Sequence, residues 1–143
     1  MSAFSFREGA SLPEEMVEEA KRLGLCGFGL CDRGGVYGMV RAWKTAKALD
    51  IPLLHGSLLS VEGLPDIGLL AENETGWSSL CELISTAHSN APKSDAHLLP
   101  GELNTHTTGL IALADWQWCT HPKALGELID AHEGAVYLVA SRD

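Results

Sequence analysis

Gly24-Leu-Cys-Gly-Phe-Gly-Leu-Cys-Asp-Arg-Gly-Gly-Val-Tyr-Gly38 is the stretch on which the reading of this chain turns. Leu25 to Cys31 has the content of a short buried strand. It ends on the charged pair Asp32-Arg33 and breaks at once into Gly34-Gly35, after which a helix is expected to start near Val36. In an α/β protein, ligands and catalytic groups collect at the C-terminal ends of such strands. Asp32 and Arg33 therefore stand where chemistry is expected.

Toward the N-terminus, Pro13 to Leu23 reads as an amphipathic helix, with Met16, Val17, Ala20 and Leu23 at helical spacing. Ser11 is its expected N-cap, with Glu14 three residues on, and Gly24 its C′ glycine. Toward the C-terminus a second helix, Val36 to Leu49, offers Met39, Val40, Trp43, Ala46 and Ala48 for burial. It is stopped by Asp50 and Pro52, and Pro52 to His55 opens the next strand. Leu58 to Val61 and Ile67 to Ala71 are strand-like runs joined by Glu62 to Asp66. A parallel crossover needs about a dozen residues, so this link predicts an antiparallel hairpin.

A third helix, Thr75 to Ala87 with Thr75 as cap, is followed by a polar loop from His88 to Thr108 with a helical turn near Leu98 to Leu103. Gly109 to Ala114 reads as a strand, Pro122 to Ala131 as a helix and Ala135 to Ala140 as a last strand. Strands alternating with helices imply a mainly parallel sheet or an open barrel. A parallel strand is normally covered by helices on both faces, yet none follows Ala140. Phe4-Ser-Phe reads like the loop after a strand, so both ends are expected to be cut.

The 143 residues suit one domain, residues 1–143, and their 45% hydrophobic content suits a packed core. No run approaches the roughly 18 apolar residues of a membrane span. The N-terminus lacks the basic and then apolar layout of a signal peptide. Four cysteines in no tight pattern fit a reducing compartment, and a cytoplasmic location is expected. A net charge of −9 argues against independent binding to nucleic acid, whose phosphates call for a basic face.

Several blocks in order resemble one family. Phe4-Ser-Phe-Arg-Glu-Gly-Ala-Ser with Pro13-Glu-Glu-Met-Val-Glu-Glu-Ala is similar to the start of the PHP domain of bacterial DNA polymerase III α subunits, above all the error-prone DnaE-type enzymes. Cys31-Asp-Arg-Gly-Gly-Val-Tyr-Gly resembles the family's Thr-Asp-His/Arg-x-Gly-x-Tyr-Gly block, and Ile51-Pro-Leu-Leu-His-Gly-Ser-Leu-Leu its Gly-Ala-Glu-Leu strand. Gly76-Trp-Ser-Ser-Leu-Cys-Glu-Leu-Ile, Gly109-Leu-Ile-Ala-Leu and Ala135-Val-Tyr-Leu-Val-Ala-Ser-Arg follow in the same order. The resemblance runs from Phe4 to Arg142 and includes none of the polymerase's palm or fingers, so DNA polymerisation by this chain alone is not expected. It implies a partial or distorted (β/α) barrel of PHP type, mainly parallel, with one short antiparallel hairpin.

In active members of that family a metal cluster at the strand ends hydrolyses phosphoesters through metal-bound hydroxide. The resemblance implies a His-x-His pair on a first strand that has no counterpart here. The loop carboxylate matches Glu8; the histidine after Asp32 is replaced by Arg33, which cannot ligate a metal. The glutamate of the Gly-Ala-Glu block is replaced by Leu58, and a later ligand aligns near Asp115.

Read from the residues alone, Asp32 is either a cap of the turn or next helix, or a ligand-directed acid. Arg33 either binds phosphate, pairs with Glu8 in place of a metal, or lies in solvent. His55 at a strand end reads as a hydrogen-bonded structural histidine. Cys119-Thr-His121 with His88, His97, His106 and His132 matches no compact zinc template. Trp116 and Trp118 are expected to pack on the sheet end, with base stacking the alternative. Cys26 and Cys31 are expected to be buried thiols on opposite sides of one strand.

Two classes of function follow. One is a metal-free PHP-like module that packs against other polymerase domains or a protein partner, or that self-associates. The other is a small phosphoesterase with zinc or manganese, using Glu8, Asp32, His55 and Asp115 with histidines from the long loop.

Overall fold

The computed structural model describes residues 1–5, 8–91 and 95–140. Phe6, Arg7, Arg142 and the 92–94 part of the expected loop lie outside the described residues. The elements are α1 (Pro13–Arg22), β1 (Phe28–Arg33), α2 (Met39–Leu49), β2 (Leu53–Val61), β3 (Leu64–Ala71), α3 (Glu74–Ser89), β4 (His97–Leu98), β5 (Leu110–Asp115), α4 (Pro122–Ala131) and β6 (Val136–Val139). A short 3-10 helix, Trp116–Thr120, joins β5 to α4.

The strands form one sheet in the order β1-β2-β3-β5-β6, with β4 beside the end of β2. β1 pairs parallel with β2, β2 with β4, and β5 with β6, while β3 is antiparallel to both neighbours. Every strand but β3 therefore runs the same way. β1 and β6 are the two ends of the sheet, which is open among the described residues.

One face of the sheet is covered by helices. Val17 and Ala20 of α1 and Met39, Ala42 and Ala46 of α2 pack with Leu30 and Ile51. Leu80 and Leu83 of α3 pack with Leu59, Ile67, Leu69, Ala112 and Ala114. Strand side chains alternate between faces, so Cys31, Leu58, Leu70, Leu113 and Val139 fall on the opposite face. There they line an open cleft of about 410 Å³.

Several expected boundaries shift for local reasons. β1 begins at Phe28 rather than Leu25, because pairing to the second strand starts where Phe28 N–H meets the Pro52 carbonyl, 2.9 Å away. Cys26 is consequently outside the strand and exposed, contrary to expectation, while Cys31 is half-buried and its thiol is pushed up to about 11 by burial. Asp32 and Arg33 join the strand instead of following it. α1 is capped at Leu12, not Ser11, and the Glu15 carboxylate accepts the Leu12 N–H at 2.9 Å. α2 begins at Met39, and its core face is Met39, Ala42 and Ala46; Val40 and Trp43 turn outward, 65% and 45% exposed. Asn73, not Thr75, caps α3 by accepting the Gly76 N–H.

The hairpin is present but longer than expected. β2 runs unbroken through Gly56, where a Cβ would come within 2.6 Å of both Cys31 Sγ and the Leu69 carbonyl oxygen. The two runs expected on either side of Gly56 therefore merge into nine residues, and the turn shrinks to Glu62-Gly63, with Gly63 at φ +69°. Within the expected loop, Ser60 and Val61 pair with His97 and Leu98 of β4. Two residues are too few to show a period.

Candidate functional site

The C-terminal end of β1 holds two different polar arrangements, one on each side of the sheet. Asp32 points to the helical side and is 1% exposed. Its Oδ1 accepts from Ser2 N–H at 2.7 Å, from the Ser2 hydroxyl at 2.9 Å and from the Ser5 hydroxyl at 3.0 Å. Its Oδ2 accepts from the Ser2 hydroxyl at 2.9 Å and from Gly38 N–H at 3.0 Å. Gly38 is the N-cap of α2, so Asp32 ties the helix start and the N-terminal segment to β1. The capping alternative read from the sequence describes this side chain. Ser5 Oγ also accepts Arg33 N–H at 3.0 Å, and the Ser57 hydroxyl donates to the Asp32 carbonyl at 3.1 Å.

Arg33 points to the other side. Its Nε donates to both oxygens of Glu8 at 2.9 Å, and its Nη1 donates to Asp66 Oδ2 at 2.7 Å and to Ser60 Oγ at 3.3 Å. One guanidinium thus joins the N-terminal segment to β1, β2 and the start of β3. Hydrogen bonding to Glu8 raises its pKa further, against a lowering by burial, and the bond to Asp66 adds a smaller rise. The cluster is about one-third exposed, so each pair contributes less than about 1 kcal/mol by itself. The pairing of Arg33 with Glu8 was one of the readings of the sequence; Asp66 and Ser60 were not anticipated. Asp66 precedes Ile67 in an antiparallel strand, and only that direction brings a strand's beginning to the end where its neighbours finish.

The remaining expected site residues divide. Leu58 pairs in register with Arg33 and lines the open cleft with Asp66 and Asp115. Asp115 closes β5 and caps the 3-10 helix through Gln117 N–H, 2.8 Å from Oδ1. His55 is not part of the cluster. It is the third residue of β2 and does not end a strand; its ring stands edge-on to Trp77 at 5.4 Å and 87°. Burial lowers its pKa, and its ring is set against Trp77 rather than in the expected hydrogen bond.

The remaining histidines are dispersed: His88, in α3, has Nε2 2.7 Å from the Gly34 carbonyl oxygen, His97, in β4, has Nδ1 2.8 Å from that of Asp95, and His132, at the end of α4, is buried. Trp118 is fully buried and donates to the Asp66 carbonyl at 2.9 Å, as packing requires, whereas Trp116 is exposed. Among the described residues, no group of three or more His, Cys, Asp or Glu is placed to hold a metal ion.

An open α/β domain with all strands but one parallel, and its polar groups gathered where those strands end, is the class this geometry defines. Residues 1–137 match the PHP domain model, and the chain belongs to the PHP-domain family. Error-prone DNA polymerases are among its relatives. That of Pseudomonas syringae pv. syringae is 37% identical over 113 residues, covering 79% of this chain and 11% of the relative. That of Anaeromyxobacter dehalogenans is 47% identical over 92 residues, covering 61% and 8%, and that of Pseudomonas aeruginosa PAO1 is 33% identical over 145 residues, covering 94% and 14%. The chain therefore spans a seventh or less of the length of these relatives. A solved amidohydrolase from Chromobacterium violaceum shares the fold with a TM-score of 0.54 at 14% identity, covering 89% of this chain and 70% of that one.

Proposed function

We propose that this chain is a metal-free, catalytically degenerate PHP module of an error-prone DNA polymerase III α-type protein. Its role is structural or partner-binding, in the context of replication and translesion repair in the cytoplasm. Its sheet is read as part of a distorted barrel, with the concave 410 Å³ cleft on the interior side. The observation that carries the reading is the Arg33 guanidinium held between the Glu8 and Asp66 carboxylates. A permanent cation there takes the lone pairs that a metal would need and supplies its charge.

Of the other candidate ligands, Asp115 lines the same cleft as Asp66 and caps the 3-10 helix, and the rest do not fit a metal cluster. The Asp32 carboxylate is occupied by Ser2, Ser5 and Gly38, Leu58 offers no donor, and His55 lies toward the other end of β2. The identities to error-prone polymerases support the context, and the net charge of −9 supports a partner other than nucleic acid. Other polymerase domains, a separate protein or a second copy are the partners this reading admits.

Elemental analysis after dialysis against manganese and zinc tests it. Less than about a tenth of an equivalent bound is expected. Near one equivalent, lost on Glu8→Ala, would overturn the proposal and make the domain a metal-dependent phosphoesterase.

A further inference from the structure

β6 stands at one end of the sheet. Edge strands of natural proteins are guarded by lysines, prolines, bulges or a covering segment. Ala135 to Ala140 has no charged residue, no proline and no glycine, and Tyr137, Leu138 and Val139 are 60%, 61% and 46% exposed. The opposite end is better guarded, because Arg33 closes β1 and Ser5 Oγ takes its N–H at 3.0 Å.

The exposed residues lie on both faces of the strand. Val136 and Leu138 pair with Ala112 and Ala114 of the helix-covered face, whereas Tyr137 and Val139 stand beside Leu113 and Asp115 on the cleft face. The backbone defines the free edge. Ala112 N–H donates to the Ala135 carbonyl at 2.9 Å, so the peptide groups of Ala135, Tyr137 and Val139 turn toward β5, and those of Val136 and Leu138 turn outward. Outward donors and acceptors between two apolar rows call for another extended strand, itself uncharged and apolar on both faces.

β6 meets that description. Two copies set antiparallel about a twofold axis normal to the sheet, with Leu138 opposite Leu138, bring like faces together. Tyr137 then faces Val139 of the other copy, a favourable aromatic to β-branched pair, and Val136 faces Ala140. The outward peptide groups of Val136, Leu138 and Ala140 meet as hydrogen-bonded pairs. Joining β6 to β1 would instead be head-to-tail and open-ended, on an edge where one donor is already used.

We infer that β6 pairs antiparallel with β6 of a second copy of this chain, in a closed twofold contact that makes one sheet of two. The inference rests on the partner-binding reading above and names the partner. Four strand residues a side are far fewer than the roughly 20–30 residues of a standard interface, so the dimer is weak, with a Kd on the order of 100 µM. The strand is uncharged while each copy carries −9, so charge opposes the contact and salt strengthens it.

Sedimentation equilibrium from about 10 µM to 1 mM tests it. A monomer–dimer equilibrium is expected, tighter by about threefold or more at roughly 0.5 M salt than at 0.05 M. Leu138→Pro removes an outward N–H without touching the β5 ladder, and should weaken the dimer about tenfold or more at unchanged circular dichroism. Disulfide trapping reads the register, in a Cys26→Ser, Cys119→Ser background because both thiols are exposed. Leu138→Cys sets two thiols on directly opposed residues, about 5.5 Å apart at Cα and within disulfide reach. Tyr137→Cys sets them on a diagonal of about 7–8 Å and should cross-link more slowly.

A monomer throughout would overturn the inference and leave the edge to a strand of a different protein. A dimer that salt dissociates, that Leu138→Pro leaves intact, or that Tyr137→Cys traps as fast as Leu138→Cys would overturn it as well. Metal content read on the same samples separates the two proposals. A metal-poor monomer loses only this inference; a metal-replete dimer loses only the one before.

Discussion

Asp32→Asn changes no volume and removes one acceptor from a buried set, so its cost can be worked from the contacts. The amide keeps one oxygen. If that oxygen takes the Oδ1 position, Ser2 N–H and both hydroxyls keep a partner, while the new NH2 faces Gly38 N–H, formerly 3.0 Å from Oδ2. The Ser2 hydroxyl can rotate, but a backbone N–H cannot. The opposite orientation leaves Ser2 N–H and the Ser5 hydroxyl facing the amide and is worse. At least one buried donor is therefore left unsatisfied, at a cost of roughly 1–3 kcal/mol. Asp32→Ala strands both backbone donors, for roughly 2–6 kcal/mol, a large part of the 5–15 kcal/mol that an ordinary domain has.

Urea unfolding followed by circular dichroism reads both variants. With an m value of about 2 kcal/mol/M, Asp32→Asn should lower the midpoint by about 0.5–1.5 M at unchanged m. Ser5→Ala should cost less than Asp32→Ala, and the two should be non-additive, because Ser5 Oγ bridges the carboxylate and Arg33 N–H. A midpoint for Asp32→Asn within about 0.2 M of the parent would refute the argument that these donors depend on both Asp32 oxygens.

Arg33→Met should cost about 1 kcal/mol or less in dilute buffer and less still at high salt, because its ion pairs are one-third exposed; urea midpoints at the two ionic strengths check this. Iodoacetamide at pH 8 should modify Cys26 and Cys119, both exposed, well before Cys31, whose thiol is pushed up to about 11 by burial; peptide mass spectrometry orders them. Burial lowers the pKa of His132, against a smaller rise from its bond to the Leu128 carbonyl. Its folded pKa therefore lies below the unfolded value of about 6.5, and the unfolded state takes up protons first as the pH falls. Its contribution is intact above about pH 6.5 and is lost on acidification below it, so His132→Gln should flatten the stability profile between about pH 6.5 and 5. Tyr137 and Leu138 of β6 are 60% and 61% exposed on a sheet edge; sedimentation should show concentration-dependent association, weakened by Leu138→Lys.

The elements that were legible in the sequence are those with a period or a stop signal. α4 has the expected bounds because Pro122 starts it and its apolar spacing is regular. The hairpin was legible from the shortness of its link, a topological argument independent of exact boundaries. What failed was local. Gly56 reads as a break in sequence but is needed for close approach to Cys31 and Leu69, and Val40 and Trp43 read as core because hydrophobicity does not say which of two helix faces meets the sheet. Of the site, Arg33 with Glu8 could be anticipated from opposite charges at two blocks. Asp66 could not, because the rule that chemistry sits at the C-terminal ends of strands looks past a residue at the beginning of one. Reversing β3 is what brings it there.

That reversal bears on why an arginine can stand at this position at all. Arg33 spans the end of β2 to reach Asp66 on β3, touching Ser60 on the way, while its other edge takes Glu8. Glu8 belongs to the same N-terminal segment that Asp32 anchors from the opposite face through Ser2 and Ser5. The adjacent side chains of β1 thus grip one segment from two sides, one through a buried carboxylate and one through a cation about one-third exposed. A metal cluster would cross-link strand ends only where the ion is available and its ligands are deprotonated. A guanidinium does so at any metal concentration, and at every pH in which the carboxylates are ionised. The cross-link and the chemistry of such a site are therefore separable, and the Arg33 arrangement provides the first.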